Sequence, residues 1–189
     1  MIGRLNHAHG FSIVETLAVL ALAGISLSMA VPGLRMLVRG DSSTTAVNRL
    51  VGTMQMARSA AVTGNTRITV CPSADGQRCD KSPWQDGWIA FTDPDQDRQI
   101  GPGEKILIRE SVQPGLQFRS REFEHAFSYR PNGQIVAADA STNSGQFILC
   151  EAGADTATRV VVVPPSGEPR LAQKPIDGDT ARCEPEIHR

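Results

Sequence analysis

The sequence predicts an α+β fold in which one long N-terminal helix packs on a head made of an antiparallel β-sheet or sandwich. Three observations lead to this prediction. Residues 11–31 are almost wholly apolar, residues 32–64 carry apolar side chains at helical spacing, and residues 65–189 consist of short β-prone runs separated by turn residues. A chain of 189 residues is long enough to form one domain with a core of ordinary size.

The first apolar segment, residues 11–31, is long enough to cross a bilayer as a helix. At about 1.5 Å per residue it spans roughly 30 Å, which is the thickness of the hydrocarbon layer. Residues 1–10 form a short polar leader that contains Arg4. Positive charge favours the cytoplasmic side of a membrane, so we expect the leader inside and the head outside.

Glu15 is the residue of this segment that most needs an explanation. A carboxylate at the centre of a membrane helix costs about 2.5 to 3.5 kcal/mol, and somewhat less near a helix end. Cleavage between Gly10 and Phe11 would place Glu15 one turn from a free amine and beside the positive end of the helix dipole. A secretory signal peptide cut after Ala30, which would release a secreted β-domain, is an alternative that leaves Glu15 unexplained. A plain membrane anchor is another.

The second segment, residues 32–64, is predicted to be the amphipathic half of the same helix. Pro32 predicts a kink, because a proline removes one backbone hydrogen bond. Asp41–Ser43 allows a local interruption of the helix or a cap on its second half, and Gly64–Asn65 predicts the helix end. Apolar residues recur at three- and four-residue steps at Val47, Leu50, Val51, Met54, Ala57 and Ala61.

The head, residues 65–189, is predicted to contain eight strands. Pro131-Asn132-Gly133 is a strong signal for a hairpin turn between two of them. The predicted strands lie near residues 66–71, 87–92, 105–112, 116–120, 126–130, 134–138, 146–151 and 159–163.

Four cysteines follow the apolar segment, which indicates an exported head with oxidised cysteine pairs. Cys71 and Cys79 bracket a polar loop, so their pairing is the simplest assignment and leaves Cys150 to join Cys183. The other two pairings stay open. The closest cysteines are too far apart for a zinc site and no histidine stands near them, while the absence of C-x-x-C argues against redox catalysis.

Asp93, Asp95, Asp97 and Glu104 occupy positions 1, 3, 5 and 12 of a pattern similar to a calcium-binding EF-hand loop. Against calcium, Arg98 stands where that loop requires glycine, and the flanking segments read as strands. A solvated acidic hairpin loop is the alternative. We therefore expect no cofactor, with calcium left open at these four residues.

The sequence does not predict an enzyme. His7 and His9 lie in the leader, and neither His125 nor His188 has a partner nucleophile or acid nearby in sequence. No G-x-S-x-G, H-E-x-x-H or P-loop motif occurs. The formal net charge of -1 excludes a global basic field that would attract nucleic acid.

The segment Gly10-Phe11-Ser12-Ile13-Val14-Glu15-Thr16-Leu17 resembles the leader junction of type IV pilins. The stretches ARSAAVTGNTRITVCPSADGQRC, WQDGWIAFTDPDQD and GEKILIR resemble the GspH/FimT/FimU branch of that family. The resemblance implies a pilin-like fold. It also implies that a prepilin peptidase cuts after Gly10 and methylates Phe11, that Glu15 promotes docking into a filament, and that Pro32 is the proline which pilins carry at this place in the helix.

By this resemblance the chain is expected to be a minor pilin of the type IV pilus, which primes assembly and sits at the filament tip. Its expected partners are other minor and major pilins, bound through the N-terminal helix, together with the prepilin peptidase and the inner-membrane assembly platform. Before assembly it would be a single-pass inner-membrane protein with a periplasmic head. A pseudopilin of type II secretion is the first alternative.

A DNA-binding competence pilin is the second alternative. Some FimT-like pilins bind DNA through a basic G-R-x-R stretch, and the corresponding stretch here is Gly167-Glu168-Pro169-Arg170, in which only Arg170 remains. DNA affinity depends on the number of cations that meet phosphates, so we do not expect nucleic acid as a partner. A basic patch on adjacent strands is left open for Arg109, Arg119, Arg121 and Arg130.

Overall fold

The computed structural model describes residues 13–111, 115–138, 141–151, 157, 159–172 and 183, and of residues 28–41 only the backbone. In this part of the chain one helix is followed by nine strands. Contacts group the chain into two compact units, Met1–Asp41 and Ser42–Arg189. The elements are α1 (Ile13–Gly64), β1 (Ile68–Pro72), β2 (Trp88–Thr92), β3 (Ile106–Glu110), β4 (Leu116–Arg119), β5 (Phe127–Tyr129), β6 (Ile135–Ala137), β7 (Gly145–Glu151), β8 (Arg159–Val163) and β9 (Arg170–Ala172).

Helix α1 ends where the sequence predicts. Asn65 follows its last residue with a left-handed φ of 46°, and the Thr66 amide donates a hydrogen bond to the Ala61 carbonyl at 3.2 Å. This arrangement satisfies a carbonyl that the helix end would leave open. The helix runs through Asp41–Ser43 without the interruption that the sequence allows. Helix propagation adds one backbone bond per residue, which outweighs the small propensity penalties of Asp and Ser.

The amphipathic half of α1 buries the face that the sequence predicts. Val47, Leu50, Met54, Ala57 and Ala61 are all at most 1% exposed. Val51, the sixth residue of the predicted face, is partly buried against the same core.

The strands form two antiparallel sheets. One has the order β3-β2-β1-β5-β6 and the other the order β4-β7-β8-β9. All eight predicted strands are present, most of them shorter than predicted. β9 was not predicted, because Arg-Leu-Ala carries no β pattern by itself and becomes a strand only by pairing with β8. A short 3₁₀ helix, Trp84–Asp86, was also not predicted.

The predicted hairpin turn joins β5 to β6. The Arg130 amide donates to the Gln134 carbonyl at 2.9 Å, and the Gly133 amide donates to the Arg130 carbonyl at 2.8 Å. Gly133 has a φ of 79°, which a residue with a side chain rarely adopts.

The main core of the head lies between α1 and both sheets, and aromatic rings fill its centre. The Trp84 ring stacks on Phe127 and meets Phe147 edge-on. The indole N–H of Trp88 donates to the Thr53 hydroxyl of α1 at 3.0 Å. A second, smaller cluster lies on the other side of β1 and β2 around Cys71, Ile89, Phe91 and Ala126. Both sides of β1 are therefore covered, which explains why all five of its residues are buried.

Arg58 and Tyr129 tie two turns of the head to its core. The Nε of Arg58 on α1 donates to the carbonyls of Gly133 and Ser166, both at 3.2 Å. The Tyr129 hydroxyl donates to the Gly167 carbonyl at 3.0 Å, and burial raises the pKa of this phenol. The hairpin turn and the turn before β9 thus share one set of anchors.

Candidate functional site

The helical segment Ile13–Leu27 exposes its large apolar residues to a degree unusual for a folded chain. Their exposed fraction runs from 58% at Ile25 to 79% at Ile13. Because consecutive helical residues point about 100° apart, these positions surround the helix rather than forming one stripe. A helix that is apolar on all sides requires apolar surroundings. We call this set the apolar helix surface: Ile13, Val14, Leu17, Val19, Leu20, Leu22, Ile25 and Leu27.

The polar side chain of Ser26 fits an apolar environment. Its hydroxyl donates to the Leu22 carbonyl one turn earlier at 2.9 Å. A hydroxyl bonded in this way does not need water, so it does not prevent the segment from entering lipid or a packed bundle.

Glu15 lies exposed in the first turn of α1. A negative charge at this position interacts favourably with the positive end of the helix dipole. Gly10 and Phe11 lie outside the described residues, so cleavage and methylation stay predictions. The same holds for a kink at Pro32: its side chain is outside the described part of the structure, and α1 continues through this position.

Among the residues described with side chains, no helical stretch has both the length and the hydropathy that crossing a bilayer demands. The predicted transmembrane segment, residues 11–31, lies partly outside this set.

The acidic loop after β2 brings three of the four predicted calcium ligands together. One carboxylate oxygen from each of Asp93, Asp95 and Asp97 lies within 4.8 Å of the others. Glu104 is not a member of this group, and its Oε2 accepts a hydrogen bond from the Gly101 amide at 2.8 Å. Arg98 takes a left-handed φ of 62°, which is the conformation that an EF-hand assigns to glycine.

Asp93 is fully buried and its oxygens already have donors from the protein. The Thr69 hydroxyl donates a short hydrogen bond to Oδ2, and the Arg98 amide donates to Oδ1 at 3.4 Å. These donors stabilise the carboxylate without a metal ion. Calcium binding at Asp93, Asp95, Asp97 and Glu104 stays a prediction.

Both disulfides have the pairing that was the simplest from the sequence. Cys71 is bonded to Cys79, with their Cα atoms 5.5 Å apart, and Cys150 is bonded to Cys183, with their Cα atoms 5.7 Å apart. The first disulfide closes a loop directly after β1, and the second ties Cys183 to strand β7.

The loop closed by the first disulfide is organised around Asp75. Its Oδ1 accepts hydrogen bonds from the Gln77 amide at 2.8 Å and the Arg78 amide at 3.3 Å. These backbone hydrogen bonds, chiefly that from Gln77, lower the pKa of the Asp75 carboxyl. The side chain of Asp75 therefore helps to fix the backbone of this loop.

The four arginines that the sequence left open as a basic patch lie in three different surroundings. Arg119 and Arg121 line a cleft of about 770 Å³ that also contains Glu122 and Glu124. The Nε of Arg109 donates to the Gly76 carbonyl at 2.7 Å. Arg130 lines two other clefts, of about 460 and 230 Å³.

Arg170, the one arginine that remains of the G-R-x-R pattern in this sequence, lies at the start of β9. It forms an ion pair with Glu168, at 3.1 Å between Nη2 and Oε2. Both side chains are exposed, so solvent screens this pair. The glutamate that replaces the first arginine of the stretch is thus the partner of the one that remains.

A different group of arginines shares one cleft, and the sequence did not point to it. Arg67, Arg98 and Arg130 line the cleft of about 230 Å³ together with Gln96 and Ser128. The three lie more than thirty residues apart in the chain, and the pairing of β1 with β5 brings Arg67 and Arg130 to the same edge. No local spacing could have indicated this cluster.

Two of three comparisons relate this chain to known proteins. The sequence profile of the family described as Type II transport protein GspH matches residues 46–167. The structure is similar to that of the type IV minor pilin FimU from Pseudomonas aeruginosa, with a TM-score of 0.53 and 18% identity, over 76% of this chain and 93% of that one. It is also similar to the minor pseudopilin EpsH of the type 2 secretion system of Vibrio cholerae, with a TM-score of 0.48 and 12% identity, over 69% of this chain and 96% of that one. A search of curated proteins found no significant match.

Proposed function

Because the chain belongs to the GspH family of type II transport proteins, we propose that it is a minor pilin of the type IV pilus, which enters the filament and supports its assembly. The observation that carries this proposal is the apolar helix surface. Eight large apolar residues are exposed around one helix. Their exposure contributes nothing to the packing of a soluble head, so it indicates a surface for association.

The apolar helix surface has two successive environments in this proposal. In the inner membrane it faces lipid tails, and in the filament it faces the helices of other pilins. Lipid tails and apolar side chains are similar in polarity, so helix association depends on packing and on polar contacts rather than on a hydrophobic gain. Glu15 supplies such a polar contact, because its carboxylate can pair with the terminal amine of a neighbouring subunit.

Processing makes that amine available. The prepilin peptidase cuts after Gly10 and methylates Phe11, and the assembly platform then extracts the subunit from the membrane. The free amine lies one helical turn from Glu15 and carries the positive charge that this carboxylate needs.

The head remains in the periplasm until assembly. Its two disulfides suit an oxidising compartment, where they persist. We place the subunit in the complex that primes the filament and then forms its tip, together with other minor pilins.

A pseudopilin of type II secretion is the second candidate, and membership of a family of type II transport proteins favours it. The two candidates share the N-terminal helix, the processing and the head. They differ only in whether the subunit enters the type IV pilus or the type II secretion system. Affinity purification of the full chain from its native cells tests this choice. Recovery with pilus components supports the first candidate, and recovery with secretion components supports the second.

The change Glu15→Ala tests the role of the helix. We expect the variant to stay membrane-bound and to enter sheared filaments at least about tenfold less than the native chain, since one charge-assisted contact is worth about 1.5 kcal/mol or more. Quantitative immunoblots of membrane and filament fractions measure both amounts.

Glu124→Ala is the matched control, because Glu124 is an exposed carboxylate of the head. It should enter filaments at the native level. Native incorporation of Glu15→Ala would contradict the proposed role of Glu15. Sequencing of the mature N-terminus provides a further check, with a methylated Phe11 expected and an intact residue 1 excluding this processing route.

A further inference from the structure

Three arginines, Arg67, Arg98 and Arg130, line a cleft of about 230 Å³ beside β5 and β6 of the five-stranded sheet. Arg67 precedes β1, Arg130 follows β5, and Arg98 lies in the acidic loop after β2. Within the described part of the chain, none of the three guanidinium groups donates a hydrogen bond to a protein acceptor. Arg98 and Arg130 are exposed and Arg67 is half-buried, so the N–H donors of all three meet solvent and are available to a ligand in the cleft.

The charges around Arg67 do not balance. Burial lowers the pKa of the Arg67 guanidinium, and the positive charges of Arg130 and Arg98 lower it further, while Asp93 alone acts in the opposite direction. Asp93 is itself engaged by the Thr69 hydroxyl and the Arg98 amide. An anion in the cleft would relieve the repulsion among the arginines.

Asp95 and Asp97 are the other acidic groups close by. Both are exposed on the loop that carries Arg98, and each accepts a hydrogen bond from the amide two residues later in that loop. They group with Asp93 on the loop. The positive charge of the cleft is therefore concentrated at Arg67 and Arg130.

The walls of the cleft favour a strongly charged ligand. Val136, which is buried, and Ala138 line the cleft beside the arginines, while Ala137 between them packs in the main core. Low polarity on one side strengthens charge–charge attraction. Ser128 cannot donate to the ligand, because Thr69 gives its only hydroxyl proton to Asp93 and must accept the proton of Ser128.

We propose that this cleft binds a phosphate group through Arg67, Arg98 and Arg130. Phosphate presents several oxygens to several guanidinium groups and carries up to two negative charges, whereas a carboxylate offers two oxygens and one charge. The Gln96 amide, which also lines the cleft, supplies an additional donor. The group can come from free phosphate or from a phosphorylated glycerol headgroup, and the chemistry of recognition is the same.

Isothermal titration calorimetry on the full chain, purified in a phosphate-free detergent, tests the proposal. One arm uses inorganic phosphate and the other uses glycerol phosphate, both at low ionic strength. We expect saturable binding in at least one arm, and the tighter arm identifies the source. Arg130→Gln should weaken binding at least about tenfold, since a charged hydrogen bond is worth about 1.5 kcal/mol or more.

Arg121→Gln is the matched control, because Arg121 is an exposed arginine of the same head that lines a different cleft. It should bind phosphate like the native chain. Arg67→Gln separates binding from folding: we expect it to weaken phosphate binding without lowering the unfolding midpoint measured in the absence of phosphate.

Two results would overturn the proposal. One is the absence of binding in both arms at roughly ten millimolar ligand. A dissociation constant above that concentration corresponds to a binding free energy of less than about 3 kcal/mol. The other is binding that Arg67→Gln and Arg130→Gln leave unchanged. Neither result bears on the pilin function, which depends on the apolar helix surface and Glu15.

Discussion

At the residue scale, a buried acid organises the corner of the head where β1, β2 and β5 meet. Asp93 is fully buried, and a hydroxyl chain from Ser128 through Thr69 ends on its carboxylate. Each hydroxyl donates one proton, so the direction of this chain follows from the charge of Asp93. The buried carboxylate is therefore satisfied by a sheet neighbour that is distant in sequence.

The change Thr69→Val removes this donor while preserving the shape of the side chain. We expect the free energy of unfolding to fall by about 1 to 3 kcal/mol, because Asp93 and Ser128 both lose a buried partner. Urea unfolding followed by the fluorescence of the buried Trp84 and Trp88 measures the loss.

Thr66→Val is the control for that experiment. Thr66 is half-buried, and its hydroxyl makes no hydrogen bond to another described residue. The same substitution there should change stability by less than about 0.5 kcal/mol. A loss at Thr69 no larger than at Thr66 would show that Asp93 does not depend on this hydroxyl.

At the element scale, two turns close together determine how β9 joins the head. Gly167 has a φ of 76°, and a Cβ there would lie 2.3 Å from the Gly133 carbonyl oxygen and 2.8 Å from the Tyr129 ring. Arg58 donates to the same Gly133 carbonyl. The turn at Gly167 and the hairpin turn at Gly133 are held against each other by these contacts, so a side chain at position 167 would force one of them to move.

The change Gly167→Ala should lower the free energy of unfolding by at least about 2 kcal/mol, because the backbone conformation and the steric contacts are both unfavourable. Thermal unfolding followed by circular dichroism measures it.

Gly115→Ala isolates the backbone contribution. Gly115 has a φ of 92°, and no atom of the described residues lies within 4 Å of an added Cβ. We expect a loss of about 1 kcal/mol there. Equal losses at the two glycines would mean that the contact with Gly133 and Tyr129 is relieved by a small movement.

At the scale of the whole molecule, two disulfides close loops of different length. Each joins a fully buried cysteine, Cys71 or Cys150, to a half-buried one, Cys79 or Cys183. Because the two cysteine pairs are buried to a similar degree, replacing either pair with alanine should remove a similar amount of side-chain packing. The difference between the two losses of unfolding free energy then measures the difference in loop-closure entropy.

We expect removal of the Cys150–Cys183 pair to lower the free energy of unfolding by about 3.8 kcal/mol, and removal of the Cys71–Cys79 pair to lower it by about 2.5 kcal/mol. Chemical denaturation of the two double-alanine variants gives both values. If the shorter loop proved the more important, native-state contacts of the Asp75 loop rather than chain entropy would dominate.

Much of this architecture was predictable from the sequence because it follows from local patterns. Helix α1 is visible in the apolar spacing from Val47 to Ala61, and its end is visible in Gly64–Asn65. The hairpin turn at Pro131–Gly133 and the positions of eight strands follow from turn residues and β-branched runs. These signals depend on neighbours within a few residues, and the fold did not override them.

The functional hypothesis came from the resemblance of residues 10–17 to the leader junction of type IV pilins, and Glu15 agrees with it, since a carboxylate in an apolar helix demands a partner wherever the chain folds. Tertiary structure alone decided three features: that Arg67, Arg98 and Arg130 share a cleft, that Thr69 and Ser128 satisfy Asp93, and that Arg170–Ala172 forms a strand. Each depends on which strands pair, and strand pairing joins residues tens of positions apart whose spacing carries no periodic signal.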